Sequence, residues 1–423
     1  MEKMVSDSDI KKVLIISDKK YTDKANGRDG GVGTETQIIS AEVYKNQQQE
    51  KFVAAVVERD ENGEAYLPIY YKSRIYIDFC EPDNYADCFE KLLRWIYDKP
   101  LYKRPPLGNK PSFLEEKDDI TLGTSFLFKR VLTGLKESKS YVNGAIEEYL
   151  TTFSSNIEQF KIESEPEKYD DELVEKIEAF IPYRNEFIQI CISLCQYSED
   201  VKIDKFHRFF ETLIPYFKHR GNGRFYEHDS DVFKFIVYEL FLYYVAILLK
   251  YERFAELDEF LDREYMNNED SYGSEVEDYL MFYNYLKSLE YRNERLRCQK
   301  LSLFSSMIRD RAKHSNIDFL YLMQADFVLF LRAEHLYANN WRRWWPQTLI
   351  YAEYTRKPLE IFFRAQSKKY FEKMKCVIGF DNEMELKSFI EEYYTNKRDI
   401  PRWQHCSFSP KGLANTNNLC IKK

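Results

Sequence analysis

Val13-Leu-Ile-Ile-Ser-Asp18, then Asn26-Gly-Arg-Asp-Gly-Gly-Val-Gly33 running into Thr34-Glu-Thr36, then Phe52-Val-Ala-Ala-Val-Val57, are the stretches whose reading decides the N-terminal fold. The first and last are uninterrupted apolar runs, the pattern of strands covered on both faces of a sheet. Between them the polar, glycine-rich stretch reads as a loop. Thr34 then caps a helix through Glu35, Ile38, Ile39, Val43 and Tyr44. Outward from this centre, Asp60-Glu-Asn-Gly63 signals a turn and Arg74-Ile-Tyr-Ile-Asp-Phe79 a third strand. Tyr85 to Tyr97 reads as an amphipathic helix with Phe89, Leu92, Leu93 and Ile96 on one face. Met1 to Asp7 reads as the tail of a helix. Strand, helix, strand, strand, helix with short loops implies a parallel sheet.

The grammar changes after Lys99. Pro100, Pro105, Pro106 and Pro111 mark a linker and the best boundary in the chain. Segments 124–137, 140–160, 171–196, 203–218, 230–265, 275–312 and 315–337 carry helical periodicity with few glycines. From Trp341 the pattern shifts again: Ile361-Phe-Phe363 and Cys376-Val-Ile-Gly-Phe380 read as candidate short strands within a mostly helical stretch. The expected layout is therefore α/β plus all-α. Residues 1–113 form a partial sheet domain, 114–340 a helical domain, and 341–423 a mixed, mostly helical C-terminal subregion.

Bulk properties narrow the function classes. A chain of 423 residues carries two or three domains. Its 33 Tyr and 31 Phe suit thick helical cores. A net charge of −8 argues against a duplex nucleic-acid binder, which needs a basic face. The eight cysteines form no C-x-x-C pair and the six histidines show no ligand spacing, so no metal site is expected. Cys191 and Cys195, one helical turn apart in apolar surroundings, read as buried reduced thiols of a cytoplasmic protein. The first residues lack the apolar core of a signal peptide. Leu240 to Leu249 is the longest apolar stretch, short of a membrane span of about 20 residues, so a buried helix is expected and no membrane partner.

The pieces Val13–Asp18, Tyr21, Gly30–Thr36, Phe52–Val57, Tyr66-Leu-Pro68, Ser73–Asp78 and Leu92-Leu-Arg-Trp95 together resemble the middle of a bacterial TIR domain, of the branch also labelled SEFIR. The resemblance covers about a quarter of the chain. It implies a flavodoxin-like fold, five parallel strands in the order 2-1-3-4-5. Aligned so, this chain supplies strands three, four and five only. Val13–Ile16 then becomes an uncovered edge, which native proteins avoid, and a late start codon at Met1 is the expected explanation.

The resemblance also implies chemistry: cleavage of NAD at its nicotinamide–ribose bond, with NAD as substrate and no other cofactor. The family's catalytic glutamate falls on Glu35. Asp18, Gly30, Gly31, Gly33 and Thr34 fall where the substrate would bind. One carboxylate suits the reaction, because nicotinamide leaves as a neutral molecule and positive charge builds on the ribose. A glutamate in a first helical turn is also what the helix dipole favours without any function. TIR domains work side by side, so a homo-oligomer is expected.

Three further motifs stand apart. Arg309-Asp-Arg-Ala-Lys-His314 resembles the R-x-x-x-x-H motif of HEPN ribonucleases, with His314 as acid/base and Arg309 on a phosphate; a solvated helix end is the plainer account. Trp341-Arg-Arg-Trp-Trp345 stacks on a nucleotide ring or anchors a helix to the core, the second being the ordinary use. Arg364-Ala-Gln-Ser-Lys-Lys369 is a basic helix face. The leading expectation is a TIR effector that hydrolyses NAD in antiphage defence, its helical region sensing an unknown trigger or assembling. The alternatives are a non-catalytic TIR adaptor and a helical ribonuclease.

Overall fold

A computed structural model describes residues 9–45, 51–99, 122–162, 169–217, 227–267, 275–337, 343–352, 357–395 and 397–423. The expected helix tail at 1–7, the proline-rich linker from 100 on, and Trp341 and Arg342 lie outside these residues. The chain divides into two compact units, Met1–Leu114 and Glu115–Lys423.

The first unit holds a three-stranded, fully parallel sheet in sequence order: β1 (Val13–Ser17), β2 (Phe52–Val56) and β3 (Ile77–Asp78). β2 is central and all five of its residues are buried, as its unbroken apolar run requires. β1 departs from the same expectation. Ile15 and Ser17 turn inward, while Leu14 and Ile16 are 42% and 62% exposed. Side chains alternate along a strand, so an edge strand whose outer face lacks a covering helix exposes every second residue. On the inner face Ile15, Phe52, Ala54 and Val56 pack with Ile39, Leu67, Tyr70 and Tyr71.

The glycine-rich stretch is not a loop. Helix α1 (Lys19–Gly27) follows β1 directly, and α2 (Gly30–Lys45) begins at Gly30 rather than after Thr34. α1 forms because Asp18 caps it and Thr22 and Ala25 bury at helical spacing. Helix α3 (Tyr85–Ile96) buries Cys88 and Leu92, while Tyr85, Phe89, Leu93 and Ile96 stay exposed.

The second unit is helical. In chain order it runs α4 (Ser125–Lys136), α5 (Val142–Asn156), α6 (Tyr169–Ala179), α7 (Ile181–Tyr197), α8 (Ile203–Phe217), α9 (Asp231–Lys250) and α10 (Phe254–Leu261). α11 (Lys287–Arg295), α12 (Leu303–Ala312), α13 (Phe319–Leu336), α14 (Glu360–Arg364), α15 (Lys368–Ile378), α16 (Glu383–Glu392) and α17 (Pro410–Leu413) follow. One core cluster extends from Leu122 to Leu419, so the residues from 341 onward build the same core as the helices before them.

α9 is buried on every side from Val232 to Leu249 and packs against α6, α7, α8, α10 and α13. A helix apolar all round has to be central. It is long and apolar enough to cross a membrane by length and composition, and 94% of the apolar window lies inside the fold.

Helical periodicity, expected over 230–265 and 275–312, misread residue 265 and residues 275–282. There an antiparallel hairpin, β4 (Tyr265–Asn267) with β5 (Glu275–Glu277), leads into a single turn, Tyr279–Phe282, with all four residues buried. The candidate strands are not formed: 361–363 lie in α14, and 376–378 end α15, which Gly379 caps in the left-handed region. Phe371, Met374 and Ile378 bury at three- and four-residue spacing, which a strand would not do. The C-terminal strand pair is β6 (Arg402–Trp403) with β7 (Cys406–Ser407).

Candidate functional site

In open parallel sheets the loops beyond the carboxyl ends of the strands collect polar groups. At the end of β1, Asp18 is extended (φ −122°, ψ 179°) and its carboxylate accepts from the Tyr21 backbone N–H at 2.6 Å. This predicted substrate-binding residue therefore serves as a helix cap. Ser17 donates to the Tyr66 carbonyl at 2.6 Å, and Asn26 Oδ1 accepts from the Ile69 N–H at 3.0 Å. These two bonds hold the β2–β3 connection against β1 and α1, which brings Tyr70 to Tyr21 with hydroxyls 3.3 Å apart.

The three predicted glycines divide by function in the chain. Gly33 is forced: a Cβ there would lie 2.2 Å from the Arg28 carbonyl carbon and oxygen, so the space it leaves is filled by the α1–α2 junction. Gly30 has φ +62° with open space around it, and Gly31 also faces open space. Thr34 is exposed within α2 rather than at its cap.

Glu35 is half-buried on α2, one residue before the buried Thr36. Thr36 Oγ1 donates to the Val32 carbonyl at 2.8 Å. Burial first, and the Glu35 charge among smaller causes, raise the Tyr21 phenol above its ordinary value. Tyr70 is raised as well, by burial and then by its bond to Tyr21. The fold thus assembles one carboxylate with two neutral phenols and a threonine at the carboxyl end of β1. Such a group can hold a hydroxylated ligand and stabilise positive charge on it. Tyr21 and Thr36 were legible in the sequence only as parts of the resemblance, and neither was expected in the site; Tyr70 carried no signal, because only the loop over β1 brings it across.

Nearby, Arg59 ties the ends of β2 and β3 together. Its Nε donates to Asp78 Oδ2 at 3.1 Å and its Nη1 to the Gly63 carbonyl at 2.5 Å. Asp78 sits below its usual range: burial acts upward, but the Arg59 bonds and the Cys80 N–H outweigh it. A cavity of about 580 Å³ is lined by Val53, Tyr76, Ile77, Cys88, Lys91 and Trp95. Val53 belongs to the sheet face opposite Phe52 and Ala54, and Glu35 is not among the lining residues.

In the second unit Arg309 stacks over the Tyr351 ring at 4.1 Å, and His314 is exposed beyond the end of α12. Between them Arg311 is buried against Glu239. Trp344 is buried, donates to Asp326 at 2.6 Å and stacks on Tyr238, the anchoring use. Trp345 is half-buried against Trp403, while Arg343 is exposed. Arg364 pairs with Glu360, and Lys368 and Lys369 are exposed. All eight cysteines are free; burial raises both Cys191 and Cys195, the latter to about 12. Among the described residues no group of three or more His, Cys, Asp and Glu has metal-binding geometry. Compared with known proteins, the chain matches no family model, no curated protein and no solved structure.

Proposed function

We propose that the N-terminal unit is the strand-three-to-five part of a flavodoxin-like TIR domain and that it acts on NAD, hydrolysing the nicotinamide–ribose bond. The observation that carries this reading is the position of Glu35: half-buried, beside the Tyr21–Tyr70 pair, at the carboxyl end of a parallel strand. In the proposed reaction the C–N bond breaks with its electrons going to the pyridinium ring, which leaves neutral. The Glu35 carboxylate stabilises the oxocarbenium charge that remains, and water adds to the sugar carbon, losing a proton to solvent. The helical unit would sense a trigger or assemble copies, in defence against phage. The protein incubated with NAD should release nicotinamide, followed by chromatography. Glu35→Gln should reduce the rate by about a hundredfold or more, the scale of losing a transition-state electrostatic contact. Equal rates in both proteins would sink the reading.

A second reading has its own observation. Leu14, Ile16, Phe89, Leu93 and Ile96 are exposed apolar residues on this small unit. Exposed apolar surface suits a non-catalytic adaptor that binds other TIR domains. An adaptor would release no nicotinamide, and its self-association, measured by light scattering, would be unchanged by Glu35→Gln.

A further inference from the structure

The second unit carries a cavity of about 340 Å³ that the proposed function does not use. Its walls include five aromatic side chains: Tyr283 and Tyr285 from the segment before α11, Phe304 of α12, Trp345, and Trp403 of β6. Trp345 meets Trp403 edge-to-face at 5.5 Å, so two distant parts of the chain close one side. Glu290, on α11, also lines it, and no lysine or arginine does.

The polar groups of the lining are unequal. Gln347 is committed: its Nε2 donates to the Tyr283 hydroxyl at 3.2 Å, and its Oε1 accepts from Ser305 Oγ at 3.1 Å. Glu290 has no such partner among the described residues. Of the basic residues on its own helix, Arg292 is spent on Asp171 at 2.5 Å and Arg295 on Asp170 at 2.7 Å, while Lys287 is exposed and does not line the cavity. Burial, and then the like charge of Glu294 one turn on, raise Glu290 above the usual carboxylate range. A half-buried carboxylate without a cation, walled by aromatic rings, is an arrangement that a positive ligand completes.

We infer that this cavity binds a quaternary ammonium group, held by the ring walls and by Glu290. Guanidinium and primary ammonium need several hydrogen-bond acceptors, and beyond the Glu290 carboxylate the lining offers few, since the Gln347 amide oxygen already accepts from Ser305. An alkylated ammonium needs none, only π-faces and an opposite charge.

The test is calorimetric titration of the full chain with choline, beside its uncharged isostere 3,3-dimethylbutan-1-ol and methylguanidinium. Choline should bind saturably, and about tenfold or more tighter than either, a ratio within the range of a partly desolvated cation–π and charge contact. Glu290→Gln should weaken choline by about tenfold and leave the isostere unchanged. Tyr285→Ala, at a side chain exposed enough to spare the fold, should weaken choline several-fold. Non-saturable choline, equal binding of the neutral isostere, tighter methylguanidinium, or a Glu290→Gln protein that binds choline unchanged would each overturn the inference. Unaltered circular dichroism of both variants separates a lost site from a lost fold.

Discussion

Gly33 and Glu35 stand two positions apart and answer to different physics. Gly33 is required by the chain's own backbone at Arg28, so Gly33→Ala must open the α1–α2 junction. It should destabilise the first unit by about 2 kcal/mol or more, the range of overpacking against backbone, measured by hydrogen exchange over residues 13–45. Gly31→Ala meets nothing within 4 Å and should be near neutral in the same measurement. Asp326 gives a residue-scale pH dependence. It is wholly buried, accepts from Trp344, Thr348 and Tyr238, and is pushed up to about 6, chiefly by burial. A raised folded value means its contribution is full below the unfolded value of about 3.9 and is lost as pH rises through about 6. The stability of the parent relative to Asp326→Asn should therefore grow by about 2 kcal/mol between pH 7 and pH 4, read from urea unfolding at several pH values. A constant difference would contradict it. The burial and bonding of this aspartate were not legible in the sequence, since its donors come from helices and turns far along the chain.

At the scale of elements, α9 shows what periodicity can and cannot say. Its run of apolar residues announced a buried helix, and the fold buries it. Glu239 immediately precedes that run. In the fold it is the centre of a buried triad, with Arg184 Nη1 at 2.9 Å and Arg311 Nη2 at 2.6 Å. Burial pushes Glu239 up, but Arg311 and Arg184 together hold it below its ordinary value. Its contribution is thus present above the unfolded value of about 4.3 and lost as pH falls through the lower folded one. Glu239→Gln leaves the buried Arg184 without a counter-charge and Arg311 with only the half-exposed Glu178 at 3.4 Å, and should cost about 3–5 kcal/mol at pH 7, seen as a large drop in the midpoint of thermal or urea unfolding. Replacing all three by apolar residues of similar volume should cost far less, because the desolvation penalty is removed with the charges. The α1–α2 pair was harder to read. Glycines at Gly30, Gly31 and Gly33 signal a loop on propensity, yet the Asp18 cap and the close junction at Gly33 override it.

At the scale of the whole molecule, the two units have separate cores. One is built around Ile15, Phe52 and Tyr71, the other from Leu122 to Leu419. A helical unit with a complete core of its own should fold alone. Residues 115–423, expressed without the first unit, should keep a helical circular dichroism spectrum and melt as that unit does in the full chain. A molten, non-cooperative transition would show that the core is not self-sufficient. By itself the sequence determined that a short parallel α/β part precedes a large helical part, and that α9 lies inside, because unbroken apolar runs have to be enclosed. It also marked Glu35, by resemblance, with Tyr21 in the same pattern. Only the tertiary structure decided that Tyr70 joins them, that Arg184 and Arg311 neutralise Glu239, and that Glu290 lines an aromatic cavity with no cationic partner among the described residues. Those groups lie tens of residues apart, and local pattern carries no information about which distant side chains share a volume.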